Sequence, residues 1–176
     1  MSMDYAQMIE GCRHRDAKAQ RALYDDLAPM CMAVCHRYVR DVDEAADLLQ
    51  DGFVRIFEHL GRLKEPEKLR SWAYSVMVNR CVSYLRKAKR LKMVESYDMT
   101  EAVNISEQET PSMGLSMDDM MKAIDTLNDR LRTAFNLCVL DELSCAEAAN
   151  MMGTTEGNVR MMVFRARAEL KNKLER

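Results

Sequence analysis

Apolar residues recur at helical spacing along most of the chain. The period is clear from Ala19 to Val39. It resumes from Val42 to Leu60, where Ala45, Leu49, Phe53, Ile56 and Leu60 fall on one stripe. The loop Gly61–Glu65 interrupts it, and Pro66 suits the first position of a following helix. A further long helix is expected from about Ser71 to Lys89, with Leu69, Ala73, Val76, Met77 and Tyr84 on its inner side. From 93 to 116 no period is sustained, and Pro, Gly, Ser and acids dominate, as in a flexible linker. Beyond it, Asn128 can cap a helix from Asp129 to Leu140. The pattern predicts an all-α fold of two small helical domains, 1–92 and 117–176, joined by a flexible acidic linker, 93–116. The second, at about 60 residues, lies near the lower size limit for independent folding.

The segment from Leu143 to Leu170 holds the sharpest local signals. Ser144 with Glu147 three residues on is a capping box and starts a helix. Gly153 supplies the left-handed residue that ends it. Thr155 is a good N-cap for the next helix. A short helix, a tight Gly-containing turn and a longer basic helix make a helix-turn-helix, whose second helix enters the DNA major groove.

On that second helix, Thr155, Val159, Met162, Val163, Ala166 and Leu170 fall on one side and should be buried. Glu156, Gly157, Asn158, Arg160, Met161, Phe164 and Arg165 face elsewhere, toward the end where base-reading side chains sit. Arg167, Lys171 and Lys173 follow and suit phosphates. The candidate duplex-binding set is Thr155, Glu156, Asn158, Arg160, Met161, Arg165 and Arg167.

Composition supports the helical reading: of 176 residues only 6 are Gly and 3 Pro, and aromatics are sparse. No apolar run approaches the length of a membrane span, so no membrane insertion is expected. The first residues show no signal-peptide apolar region, and a cytoplasmic location is expected.

Net charge is only −2. The charges are nevertheless blocked along the chain. Asp41–Glu58 carries six acids and one base, whereas Arg62–Lys92 carries ten bases and two acids. Glu95–Asp119 carries seven acids and no base, and Glu156–Arg176 six bases and three acids. Alternating blocks imply separate faces for separate partners.

The basic block contains one ordered constellation. Trp72, Ser75, Asn79, Ser83, Arg86 and Arg90 recur at three- and four-residue steps. An aromatic, hydroxyls, an amide and cations on one rigid face suit single-stranded nucleic acid. The preceding acidic helix exposes Asp47, Gln50, Asp51, Val54 and Glu58, which alone reads as a solvated face. The six cysteines, Cys12, Cys31, Cys35, Cys81, Cys138 and Cys145, include no C-x-x-C pair. Cys31 and Cys35 stand one turn apart beside His36, but the spacing matches no common zinc pattern. No metal, no cofactor and no catalytic residue is expected, and His14, His36 and His59 sit in no ligand motif.

Three segments together carry a resemblance. DEAADLLQDGFVRIFEHL, then LRSWAYSVMVNRCVSYLRKAKR, then AIDTLNDRLRTAFNLCVLDELSCAEAANMMGTTEGNVRMMVFRARAEL resemble, in order across a linker, bacterial RNA polymerase sigma factors of the sigma-70 family. The extracytoplasmic-function (ECF) group is the most similar branch. The resemblance spans about Ala19 to Leu170. It implies that the stretch Asp47 to Phe53, with Asp47, Leu48, Gln50, Asp51 and nearby Val54, docks on core RNA polymerase. It implies that the loop Gly61–Leu69 and the helix bearing Trp72, Asn79 and Arg80 melt and capture promoter DNA, with Ser83, Arg86 and Arg90 on the same face. It implies that the helix-turn-helix reads the distal promoter element, and that an anti-sigma factor is a further partner. Met161 and Met162 stand where the family usually has a small polar residue and a basic one. The function expected is promoter recognition and transcription initiation with core polymerase, without enzymatic activity. The alternative is a self-sufficient helix-turn-helix regulator that binds duplex DNA without polymerase.

Overall fold

The computed structural model describes residues 3–88 and 117–174, and the described residues are helical throughout apart from turns. The chain divides into two compact units, Met1–Cys81 and Val82–Arg176. The expected linker and Arg90 lie outside the described residues.

The first unit begins with α1 (Tyr5–Arg13), which the sequence reading had not drawn. A local signal was there. Asp4 and Gln7 form a capping box, in which the Asp4 carboxylate accepts from the Gln7 N–H at 2.8 Å and the Asp4 N–H donates to the Gln7 amide at 3.2 Å. Next come α2 (Ala17–Tyr38) and α3 (Val42–His59), each opened by an aspartate cap, Asp16 and Asp41. Two 3₁₀ turns, Leu60–Arg62 and Pro66–Lys68, bridge to α4 (Leu69–Lys87), whose residues from Val82 onward are counted with the second unit. Pro66 thus opens the turn that leads into α4 rather than the α-helix itself.

The predicted α3 stripe is buried in full: Ala45, Leu49, Phe53, Ile56 and the adjoining Leu60. Leu48 and Gly52 widen it. Gly52 permits a close approach to α4, since a Cβ there would stand 2.3 Å from the Met77 methyl. Tyr24 of α2 packs on Phe53, ring centroids 4.4 Å apart.

The inner side of α4 differs from expectation. Leu69, Ala73 and Met77 are buried, but Val76 and Tyr84 are only half-buried. Val78, Cys81, Val82 and Leu85 are buried instead. The buried stripe drifts round the helix along its length, so a fixed 3.6-residue stripe captures only its first half.

The second unit contains α5 (Met117–Asp125), α6 (Asp129–Phe135), α7 (Cys145–Met152) and α8 (Glu156–Leu174). Asn128 caps α6 as expected, accepting from the N–H groups of Arg130 and Leu131. The expected single helix to Leu140 is corrected: after Phe135 the coil widens into a π turn, Asn136–Leu140. Its wide closure, Asp141 N–H to Asn136 O at 2.8 Å, inserts an extra residue per turn before the loop to α7. Ala123, Ile124, Leu127, Leu131, Phe135, Ala166 and Leu170 form the core. Arg132 is buried too, its guanidinium donating to Asp129 at 2.9 Å.

Candidate nucleic-acid interface and docking face

The helix-turn-helix is built by local hydrogen bonds. Ser144 Oγ accepts from the Glu147 N–H at 3.2 Å, and the Ser144 N–H donates to the Glu147 carboxylate at 2.9 Å. The bonds from Ser144 hold that carboxyl below its usual pKa. Gly153 stops α7 at φ +70°, a conformation a side chain rarely adopts. Thr155 Oγ then accepts from the Asn158 N–H at 3.3 Å and opens α8.

On α8, Val159, Val163, Ala166 and Leu170 are buried as expected. Met162 is half-buried and Thr155 exposed, because the cap lies outside the packed turns. Glu156, Gly157 and Arg160 are exposed, and Asn158, Met161, Phe164 and Arg165 are half-buried. Arg160 forms an ion pair with Glu156 one turn earlier. Such an exposed pair is worth little and yields readily to a stronger anion. Arg167 is half-buried, with its Nε out of solvent, and is less accessible than a phosphate-binding residue was expected to be. Lys171 and Lys173 are exposed.

At Gly157 an added Cβ would meet nothing. Gly157→Ala is therefore expected to leave the fold intact or to stabilise it by about 0.5 kcal/mol. If the start of α8 approaches base edges, the same methyl lowers duplex affinity. Thermal melting beside a duplex titration checks both; equal duplex affinity would place this turn away from the groove.

The α4 stripe is displayed much as the periodicity predicted. Ser75, Asn79 and Arg86 are exposed, and Trp72 and Ser83 half-buried. Local bonds hold its polar members: Ser71 Oγ donates to Lys68 O at 3.0 Å, Ser75 Oγ to Ser71 O at 3.1 Å, and Asn79 Nδ2 to Ser75 O at 2.8 Å.

Asp47, Gln50, Asp51, Val54 and Glu58 are all exposed on α3. Leu48 is corrected. It is 2% exposed and belongs to the core beneath this face, so it cannot touch a partner directly. Val54 is unusually open for its type, 56% exposed, and the charged residues Asp51, Arg55 and Glu58 flank it. An apolar centre with a charged rim suits protein docking.

Arg80 of α4, read as part of the strand-capturing helix, forms an ion pair with Asp51 of α3. With Val54, Arg55 and Glu58 these two residues line one polar concavity. The two faces of the first unit therefore adjoin. Sequence spacing could not show this, since the partners lie 29 residues apart.

Cys31, Cys35 and Cys81 are buried, and Cys12, Cys138 and Cys145 are half-buried. Cys31 and Cys35 point into the core while His36 is exposed, so the three do not converge. Burial pushes the Cys31 and Cys138 thiols up to about 12, keeping them protonated at neutral pH. Among the described residues no group of three or more His, Cys, Asp or Glu could hold a metal ion. No helix there is long and apolar enough to cross a membrane.

Comparison with known proteins bears on the same segments. Residues 23–91 match Sigma-70 region 2, and residues 117–170 match Sigma-70, region 4. The ECF RNA polymerase sigma factor SigM of Bacillus subtilis (strain 168) is 28% identical over 152 residues, covering 84% of this chain and 92% of that protein. The ECF RNA polymerase sigma-E factor of Escherichia coli (strain K12) is 27% identical over 178 residues, covering 96% and 93%. The sigma factor RpoE from Bartonella quintana, solved in complex with the anti-sigma factor NepR, superposes with a TM-score of 0.51 at 25% identity, over 84% of this chain and 91% of that one. With both sigma-70 regions matched in order, and with the helix-turn-helix built as region 4 requires, the chain belongs to the sigma-70 family of RNA polymerase sigma factors, in its ECF group, and directs transcription initiation.

Proposed function

We propose that the two units divide this work. The α3 face, Asp47, Gln50, Asp51 and Val54, docks on core RNA polymerase. The α4 face, Trp72, Asn79, Ser83 and Arg86, captures the opened promoter strand. The outward side of α8, Glu156, Asn158, Arg160, Met161 and Arg165, reads the distal promoter element as duplex. Functional boundaries at 1–92 and 117–176 follow from this division. The observation that carries it is the exposed polar ladder of α4 beside the charged-rimmed, Val54-centred face of α3. A base stacked on an aromatic such as Trp72 contributes about 1–3 kcal/mol, enough to offset unstacking.

The protein acts as a binding factor in the cytoplasm and performs no catalysis of its own. By similarity to the sigma factor solved with NepR, an anti-sigma factor is a further partner.

Pull-down with core polymerase followed by run-off transcription tests the whole reading; absence of both would end it. Asn79→Ala isolates the strand-capture role. It is expected to leave duplex binding by the holoenzyme intact and to reduce permanganate reactivity of promoter thymines at least severalfold. Normal melting with this variant would remove Asn79 from the interface.

A further inference from the structure

The first turn of α6 lies beside the outward side of α8. Asn128, Arg130 and Leu131 meet Asn158, Met161, Met162 and Arg165 around one concavity. The α8 residues stand at three-, four- and seven-residue steps from Asn158, so they form one continuous stripe. The floor is apolar. Leu131 is 6% exposed, and Met162 packs against the core of the unit. Met161 is one step further round, half-buried, on the side opposite Val159 and Val163. The rim is polar and carries two cations, Arg130 and Arg165. Arg130 Nη2 is buried and has no hydrogen-bond partner among the described residues.

We propose that Met161 is a specificity-determining residue, and that the slot it forms with Met162 and Leu131 reads the 5-methyl group of a thymine in the distal promoter element. This rests on the reading of α8 as the duplex reader. The chemistry selects the occupant. Base edges in the major groove offer donors, acceptors and, on thymine, a methyl group. A thioether floor offers no donor and only a weak acceptor, so polar base edges lose by entering. A methyl gains by burial, and methionine adapts its shape to it. The cationic rim matches the phosphates that flank any base reached this way. The slot is also continuous with Asn158 and Arg165, so a duplex laid along α8 passes over it.

The test removes the methyl and nothing else. The full-length protein is assembled with core polymerase, and a duplex is selected by this holoenzyme from a random-sequence pool. Each thymine of the distal element is then replaced in turn by deoxyuridine. One position, or two adjacent ones, is expected to lose about three- to fivefold in affinity, the worth of one buried methyl. Met161→Ser should bind the thymine duplex more weakly by a similar factor and should no longer distinguish thymine from uracil there. Met161→Leu should keep the distinction. Arg160→Ala is measured alongside. If it weakens the selected duplex while no thymine position is sensitive, or while Met161→Ser still distinguishes thymine from uracil, the slot reads no methyl; an apolar side chain of a protein partner as occupant would give that result. If Arg160→Ala also binds undiminished, the assignment of α8 falls, and this inference with it.

Discussion

Asp51→Arg is expected to lower affinity for core RNA polymerase by about ten- to a hundredfold, or about 1.4–2.7 kcal/mol. Asp51 sits on the open face of α3, between Gln50 and the exposed Val54, and its side chain is 56% exposed. Reversing a charge at such a rim replaces attraction with like-charge repulsion for a basic partner. The same change breaks the pair with Arg80 and sets two guanidinium groups side by side. Because the pair is partly in solvent, the cost to stability stays near 1 kcal/mol. Arg80→Ala separates the two effects: it breaks the pair but leaves the docking face acidic, and should retain core affinity. Competitive titration of labelled protein against core polymerase measures both variants. Unchanged affinity for Asp51→Arg, with normal helicity, would move the docking surface elsewhere.

The largest effect on stability is expected at Asp129. Its carboxylate accepts from Arg132, which is 1% exposed inside the second unit. Asp129→Ala leaves a buried cation without this counter-charge. A fully buried pair broken in this way costs about 3–5 kcal/mol. Asp129 itself keeps 28% of its side-chain surface in solvent, so the expected loss is about 2–3 kcal/mol. For a unit of this size that lowers the melting temperature by roughly 10 °C or more. Arg132→Met should cost less, because it removes the charge together with its need for a partner. Melting followed by circular dichroism ranks the two; equal stability of Asp129→Ala and the parent would show that other groups already balance Arg132. Duplex binding through α8 should fail at the lower melting temperature, since α6 packs directly beneath it.

The sequence by itself determined the features that depend on neighbours within one or two helical turns. The Ser144–Glu147 box, the left-handed Gly153 and the Thr155 cap are bonds between residues at most five apart, and spacing alone reveals them. The same holds for the α3 stripe and for the polar face of α4, whose side chains bond back to their own helix. The Asp4–Gln7 box that opens α1 is equally local. Tertiary structure decided everything that needs a second element. Leu48 lies within the segment that resembles a docking helix, yet α3 buries a wider arc than one stripe. The inner side of α4 drifts because its neighbours, not its own period, choose which apolar residues are covered. Arg80 pairs with Asp51 across 29 residues only because α3 and α4 pack together. Leu131 and Arg130 join Met161 only because α6 packs along α8. Periodicity sets which residues share a face; packing sets which part of that face meets solvent, another helix or a partner.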